Sequence, residues 1–120
     1  MSTATLVAST PLNVRVVIGR GISRGDFIFH TNRSISEAAS HHSTIRPDNL
    51  EQRLPRFSEG VQRFVEELLG LDHVTGVDIG AQSFKLYCAS ETTLDDVYDN
   101  VEGQLRKFLN WDGDVHKRVT

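Results

Sequence analysis

Adjacent histidines, His41 and His42, set between Ser40 and Ser43, come closest in residue type to a metal site in this sequence. Side chains of neighbouring residues point apart in extended backbone, so two such imidazoles cannot close on one ion alone. A third ligand from elsewhere, such as His30 or Asp48, would be required; without it the pair reads as part of a solvated polar loop. Cys88 is the sole cysteine, which rules out an internal disulfide and a Cys-x-x-Cys metal pair. It falls on the same strand face as Phe84 and Leu86, a placement that predicts a buried, inert thiol. Action as a nucleophile would need a base such as His73 or His30 beside it, and nothing in the spacing supplies one.

Segment 19–25, Gly-Arg-Gly-Ile-Ser-Arg-Gly, could present backbone N–H groups and the guanidinium forks of Arg20 and Arg24 to a phosphate or carboxylate. It lacks the Lys-Ser/Thr ending of a phosphate loop and no strong helical pattern follows, so a hairpin turn is the simpler reading. A further group consists of Arg15, Val17, Lys85 and Tyr87. Each is out of phase with the apolar residues of its own strand, so the four are expected on one uncovered sheet face. An aromatic with basic neighbours on such a face can hold single-stranded RNA, and the same surface can equally hold a protein. Trp111 could anchor a partner there or cover the edge of the core.

These residues are placed by short periodic elements. Val14, Val16 and Ile18 alternate with Arg15 as a strand, and 26–30 resumes an extended run after the glycines, giving a hairpin. Residues 31–56 are rich in Ser, Asn, Arg and His and read as a long loop with at most a weak helical turn, around 35–39 or 50–54. Ser58 can cap a helix whose stripe is Val61, Phe64, Val65, Leu68 and Leu69, ended by Gly70. Val77 and Ile79 form a strand, Gly80-Ala81-Gln82 a turn, and Phe84, Leu86 and Cys88 the next strand. Thr92 or Thr93 then caps a helix with the stripe Leu94, Val97, Tyr98, Val101, Leu105, Phe108 and Leu109. Asp95 and Asp96 in its first turn and Arg106 and Lys107 in its last match the helix dipole.

The resulting order, β-β-α-β-β-α, is an α+β two-layer sandwich: a four-stranded, mostly antiparallel sheet with two helices on one face. The domain is expected to span 13–110, after a flexible arm at 1–12 and before a polar, fraying tail at 111–120. A length of 120 residues fits one domain. The hydrophobic fraction of 38% and charged fraction of 24% are ordinary for a globular chain, with no apolar run of bilayer length and no signal-type start. A cytoplasmic protein with no membrane partner is therefore expected. The net charge of −3 conceals a division: residues 1–56 hold seven Lys/Arg against four Asp/Glu, residues 57–120 six against twelve. The acidic second half argues against a dedicated nucleic-acid binder.

The helix followed by Val74-Thr75-Gly76-Val77-Asp78-Ile79-Gly80, then Ser83-Phe84-Lys85-Leu86, then a closing helix resembles the N-terminal domain of Nfu-type iron–sulfur scaffold proteins. That family has a Gly-Val-x-x-Val phrase, a short turn and Phe-x-x-Val in the same place. The resemblance covers about half the chain. The family's Asn-Pro-Asn phrase is replaced here by 20–26, and the cluster-binding Cys-x-x-Cys has no counterpart. The resemblance therefore implies the fold and a partner-binding role, not cluster assembly.

No catalytic constellation and no cofactor motif stands out, so the expected function is non-enzymatic: a protein-binding accessory or adaptor module using the open sheet face and the 31–56 loop, with self-association into a dimer as a variant. Two alternatives stand beside it. One is an accessory role in iron–sulfur or metal handling through His41 and His42; the other is a small nucleic-acid-binding or mobile-element regulatory protein.

Overall fold

A computed structural model describes residues 13–37 and 44–120. Strand β1, Val14–Arg20, pairs antiparallel with β2, Phe27–Thr31, through the glycine-rich turn. The first helix, α1, is a single turn at Leu50–Arg53 between 3-10 turns at Pro47–Asn49 and Leu54–Arg56. Helix α2, Glu59–Leu69, follows, then β3, Val74–Ile79, and β4, Ser83–Cys88, in an antiparallel hairpin. Helix α3 runs Leu94–Leu109 and the final strand, β5, is Val115–Val119. No helix among the described residues is long and apolar enough to cross a membrane.

The sheet has five strands in the order β3-β4-β2-β1-β5, with β5 parallel to β1 and every other pair antiparallel. This corrects the four-stranded expectation and the fraying tail: Val115–Val119 is a strand. Its only apolar residues are two valines, because an edge strand has one neighbour and little core to fill. The helix count also differs, the third being the single turn of α1.

Helices α2 and α3 both cover one face. Val14, Val16, Ile18, Phe27, Phe29, Val77, Ile79, Phe84 and Leu86 point toward them and join Val61, Phe64, Leu68, Val97, Val101 and Leu105 in one buried cluster. Phe84 is at its centre, stacked on Phe29 with ring centroids 4.9 Å apart and meeting the edge of Phe64 at 5.2 Å. The helix ends follow from their capping residues. Ser58 Oγ accepts from the Val61 N–H at 3.4 Å and Gly70 ends α2, its N–H donating to Glu66 at 3.0 Å. At α3 the cap is Thr93, whose N–H donates to Asp96 Oδ2 at 2.8 Å. That backbone hydrogen bond holds the Asp96 carboxyl below its ordinary range. Asn110, left-handed at φ 52°, terminates the helix.

The described parts of 31–56 are built into the domain instead of forming a free loop. Ile35, Ile45 and Leu54 are buried, the Ile35 N–H donates to the Ala81 carbonyl at 2.7 Å, and Ile45 exchanges two backbone hydrogen bonds with Val77, at 2.8 and 2.9 Å. The 50–54 turn forms as α1, and residues 35–37 are not helical.

Candidate functional site

Period-two alternation sends one set of side chains from every strand away from the helices. On β1 these are Arg15, Val17 and Gly19; on β2, Ile28 and His30; on β4, Ser83, Lys85 and Tyr87; on β5, His116 and Arg118. Register brings them into rows across the sheet. Arg15 pairs with His116, Val17 with Arg118 on one side and His30 on the other, His30 with Ser83, and Lys85 with Ile28 and Asp78. The four residues expected on this face, Arg15, Val17, Lys85 and Tyr87, are therefore all on it.

The face has two unlike halves. On the β3–β4 side charges are matched within the protein: the Tyr87 hydroxyl donates to Asp78 Oδ2 at 2.6 Å, and Lys85 Nζ lies 4.5 Å from the centre of the Tyr87 ring and 4.0 Å from Asp26 Oδ2. Asp26 is buried beneath the turn that precedes β2. Tyr87 thus has its ring covered by an ammonium and its hydroxyl committed to a carboxylate. On the β1–β5 side the charges are of one sign. Arg15 and Arg118 with His116 stand on the face there, Arg20 and Lys117 belong to the opposite phase of the same strands, and neither strand holds an Asp or Glu. Helices α2 and α3 together hold seven Asp/Glu and three Lys/Arg. Charge is divided between the layers of the fold more sharply than between the halves of the chain, because β5, from the acidic half, lies beside β1.

The remaining candidate residues go elsewhere. Arg20 keeps the phase of Val16 and Ile18 and helps line a recess of about 30 Å³ with Ile18, Phe27, Leu94 and Val119. Arg24 is exposed in the turn. That turn closes through the Gly21 N–H on the Asp26 carbonyl at 2.9 Å, and the charge it directs inward is the Asp26 carboxylate, which disfavours an anion there. Trp111 packs against the core on the helix side, with the Arg33 guanidinium 4.9 Å from its ring centre and its Nε1–H donating to the Asp114 carbonyl at 2.9 Å. It does not join the sheet face.

His41 and His42 lie outside the described residues; among the described ones no three His, Cys, Asp or Glu side chains assemble as metal ligands. Of the companions considered for them, His30 is exposed on the sheet face and Asp48 in the first 3-10 turn. Cys88 is buried, and burial first, then the Asp26 carboxylate, pushes its thiol up to about 11. His73, considered as its base, is exposed in the turn before β3 with φ 77°.

Sequence reasoning missed Asp26, Asp78, His116 and Arg118 as members of this surface. Asp78 opposes Lys85 because the hairpin turns on Ala81-Gln82 alone, with Gly80 bonded to Ser83; a three-residue turn over Gly80-Ala81-Gln82 would set Asp78 opposite Phe84. His116 and Arg118 depended on a strand that its composition concealed. No protein-family model matches the chain, and no curated protein is significantly similar to it.

Proposed function

We propose that this protein is a non-enzymatic binding module that holds another protein against the sheet face opposite its helices, chiefly on the β1–β5 side. One observation carries the reading: a five-stranded sheet has both helices on one side, leaving Arg15, Val17, His30, His116 and Arg118 together on the other. A surface of one charge sign interrupted by an apolar residue is suited to an acidic partner.

The state of Tyr87 favours a protein over a nucleic acid. Base stacking needs a free aromatic face, and this ring already has Lys85 over it, with carboxylates at Asp78 and Asp26 close by to repel phosphate.

The test is affinity capture from the native cell with nuclease-treated extract, comparing wild type with Arg15→Glu on the sheet face and Glu66→Lys on the exposed side of α2. A stoichiometric protein held by wild type and Glu66→Lys but lost by Arg15→Glu is the expected result. Capture that is indifferent to Arg15→Glu, or that disappears with nuclease, overturns the proposal.

A further inference from the structure

The two ends of the sheet are finished differently. At the β3 end, Val77 spends its outward N–H and carbonyl on Ile45, which is buried over that edge. At the β5 end nothing comparable is present among the described residues. The Val14 N–H donates to the Asp114 carbonyl at 3.3 Å and the Thr120 N–H to the Ile18 carbonyl at 2.9 Å. In a parallel ladder these contacts fix the alternation: His116 and Arg118 direct their backbone groups toward β1, while Val115, Lys117 and Val119 direct theirs outward. The outward N–H and carbonyl groups of these three residues have no backbone partner among the described residues.

The side chains of this edge are sorted by face. His116 and Arg118 stand on the open side, in register with Arg15 and Val17. Val115 and Val119 stand on the helix side, and Val119 is 56% exposed at the recess it shares with Ile18 and Leu94. Lys117, between them, is held with its Nζ 4.1 Å from the centre of the Tyr98 ring.

We propose that β5 accepts an additional strand on its outer edge, supplied by an extended segment of another protein in which acidic and apolar residues alternate. This deepens the binding-module reading and rests on it. The backbone of the incoming segment pairs with Val115, Lys117 and Val119; its carboxylates line up beside His116 and Arg118; its apolar side chains cover Val119 and Val115. Charge excludes a second copy of the chain as occupant. Antiparallel pairing of β5 with itself about Lys117 places that lysine opposite its own copy and His116 opposite Arg118, with no acidic residue in the strand to relieve them.

The test uses two capped synthetic peptides, one alternating Glu with Val and one alternating Lys with Val, against wild type, Lys117→Pro and Lys117→Ala. Lys117 gives no N–H to β1, so proline at that edge position removes an outward donor without breaking the ladder; an unchanged circular dichroism spectrum and melting temperature verify this. Binding of the Glu–Val peptide is expected to slow amide exchange at Val115, Lys117 and Val119 by about tenfold or more and to weaken with salt. Lys117→Ala retains binding and Lys117→Pro loses it. The proposal is overturned by no binding of the Glu–Val peptide, by equal binding of the Lys–Val peptide, by undiminished binding to Lys117→Pro, or by concentration-dependent dimerisation through the same edge. The natural partner separates this proposal from the one beneath it. A partner lost by Arg15→Glu but kept by Lys117→Pro leaves the face reading standing and removes the edge; a partner indifferent to both removes both.

Discussion

Gly25 allows the logic of the fold to be tested with one substitution made twice. Its φ is +86°, and a Cβ built there would lie 2.4 Å from the Ala89 carbonyl oxygen and 2.8 Å from that of Cys88. The conformation alone costs an L-residue roughly 1–2 kcal/mol. The clash is with backbone, so relief requires moving the end of β4. That segment pairs Cys88 with Val74, gives the Ala89 N–H to the His73 carbonyl at 3.1 Å and receives the Thr92 N–H at 2.9 Å. Losing two such hydrogen bonds adds about 2 kcal/mol, giving a cost of about 3–4 kcal/mol for Gly25→Ala. For a domain of this size that corresponds to a melting temperature lower by about 12–16 °C. Gly103, exposed in the middle of α3 with nothing within 4 Å of its would-be Cβ, is the counterpart. There the same change relieves the entropic cost of glycine in a helix and should stabilise by roughly 0.5–1 kcal/mol. Urea unfolding of both variants, followed by Trp111 fluorescence and far-ultraviolet circular dichroism, measures the two values on one scale. A Gly25→Ala variant within about 1 kcal/mol of wild type, or a Gly103→Ala variant destabilised to the same degree as Gly25→Ala, would mean that the Ala89 and Cys88 carbonyls do not confine position 25.

Two further predictions concern the core. Phe84→Ala removes a ring that contacts both Phe29 and Phe64 and should lower the free energy of unfolding by roughly 3–5 kcal/mol in the same assay; a smaller loss than that of an exposed-residue control would show the stack is not the centre of packing. Cys88 should resist thiol reagents in the native protein and react fully in urea, and because its folded value is raised from 9.0 to about 11, the folded state holds a proton that the unfolded chain releases, so stability should decline as pH rises from about 9 to 11. A Cys88→Ala variant should lack that part of the decline.

Local patterns carried most of the fold. The hairpins, α2 and α3 follow from alternation, from apolar spacing of three and four, and from Ser58, Gly70 and Thr93 at helix ends, all of which act over a few residues. Two features did not obey local rules. Strand β5 is stabilised by a partner about a hundred residues earlier in the chain, and its Val-His-Lys-Arg-Val composition suits an edge in water better than a core strand. The Ile45 bridge to Val77 likewise depends on tertiary placement within a segment whose composition resembles a loop. The candidate surface shared this division: Arg15, Val17, Lys85 and Tyr87 could be placed from strand phase alone, whereas Arg118 and His116 became visible only with the fifth strand. Trp111 could not be assigned from sequence because both the core edge and a partner reward a large aromatic.

The bridge from Ile45 to Val77 has a consequence for assembly. Runaway growth of sheets requires each molecule to be adhesive at both ends, so that every addition regenerates a template for the next. Here Ile45 takes the outward N–H and carbonyl of Val77 at the β3 end, and among the described residues β5 is the edge left without such a bridge. A segment that joins β5 therefore meets no second template on the far side of the sheet at Val77, and addition through that edge stops at a one-to-one complex.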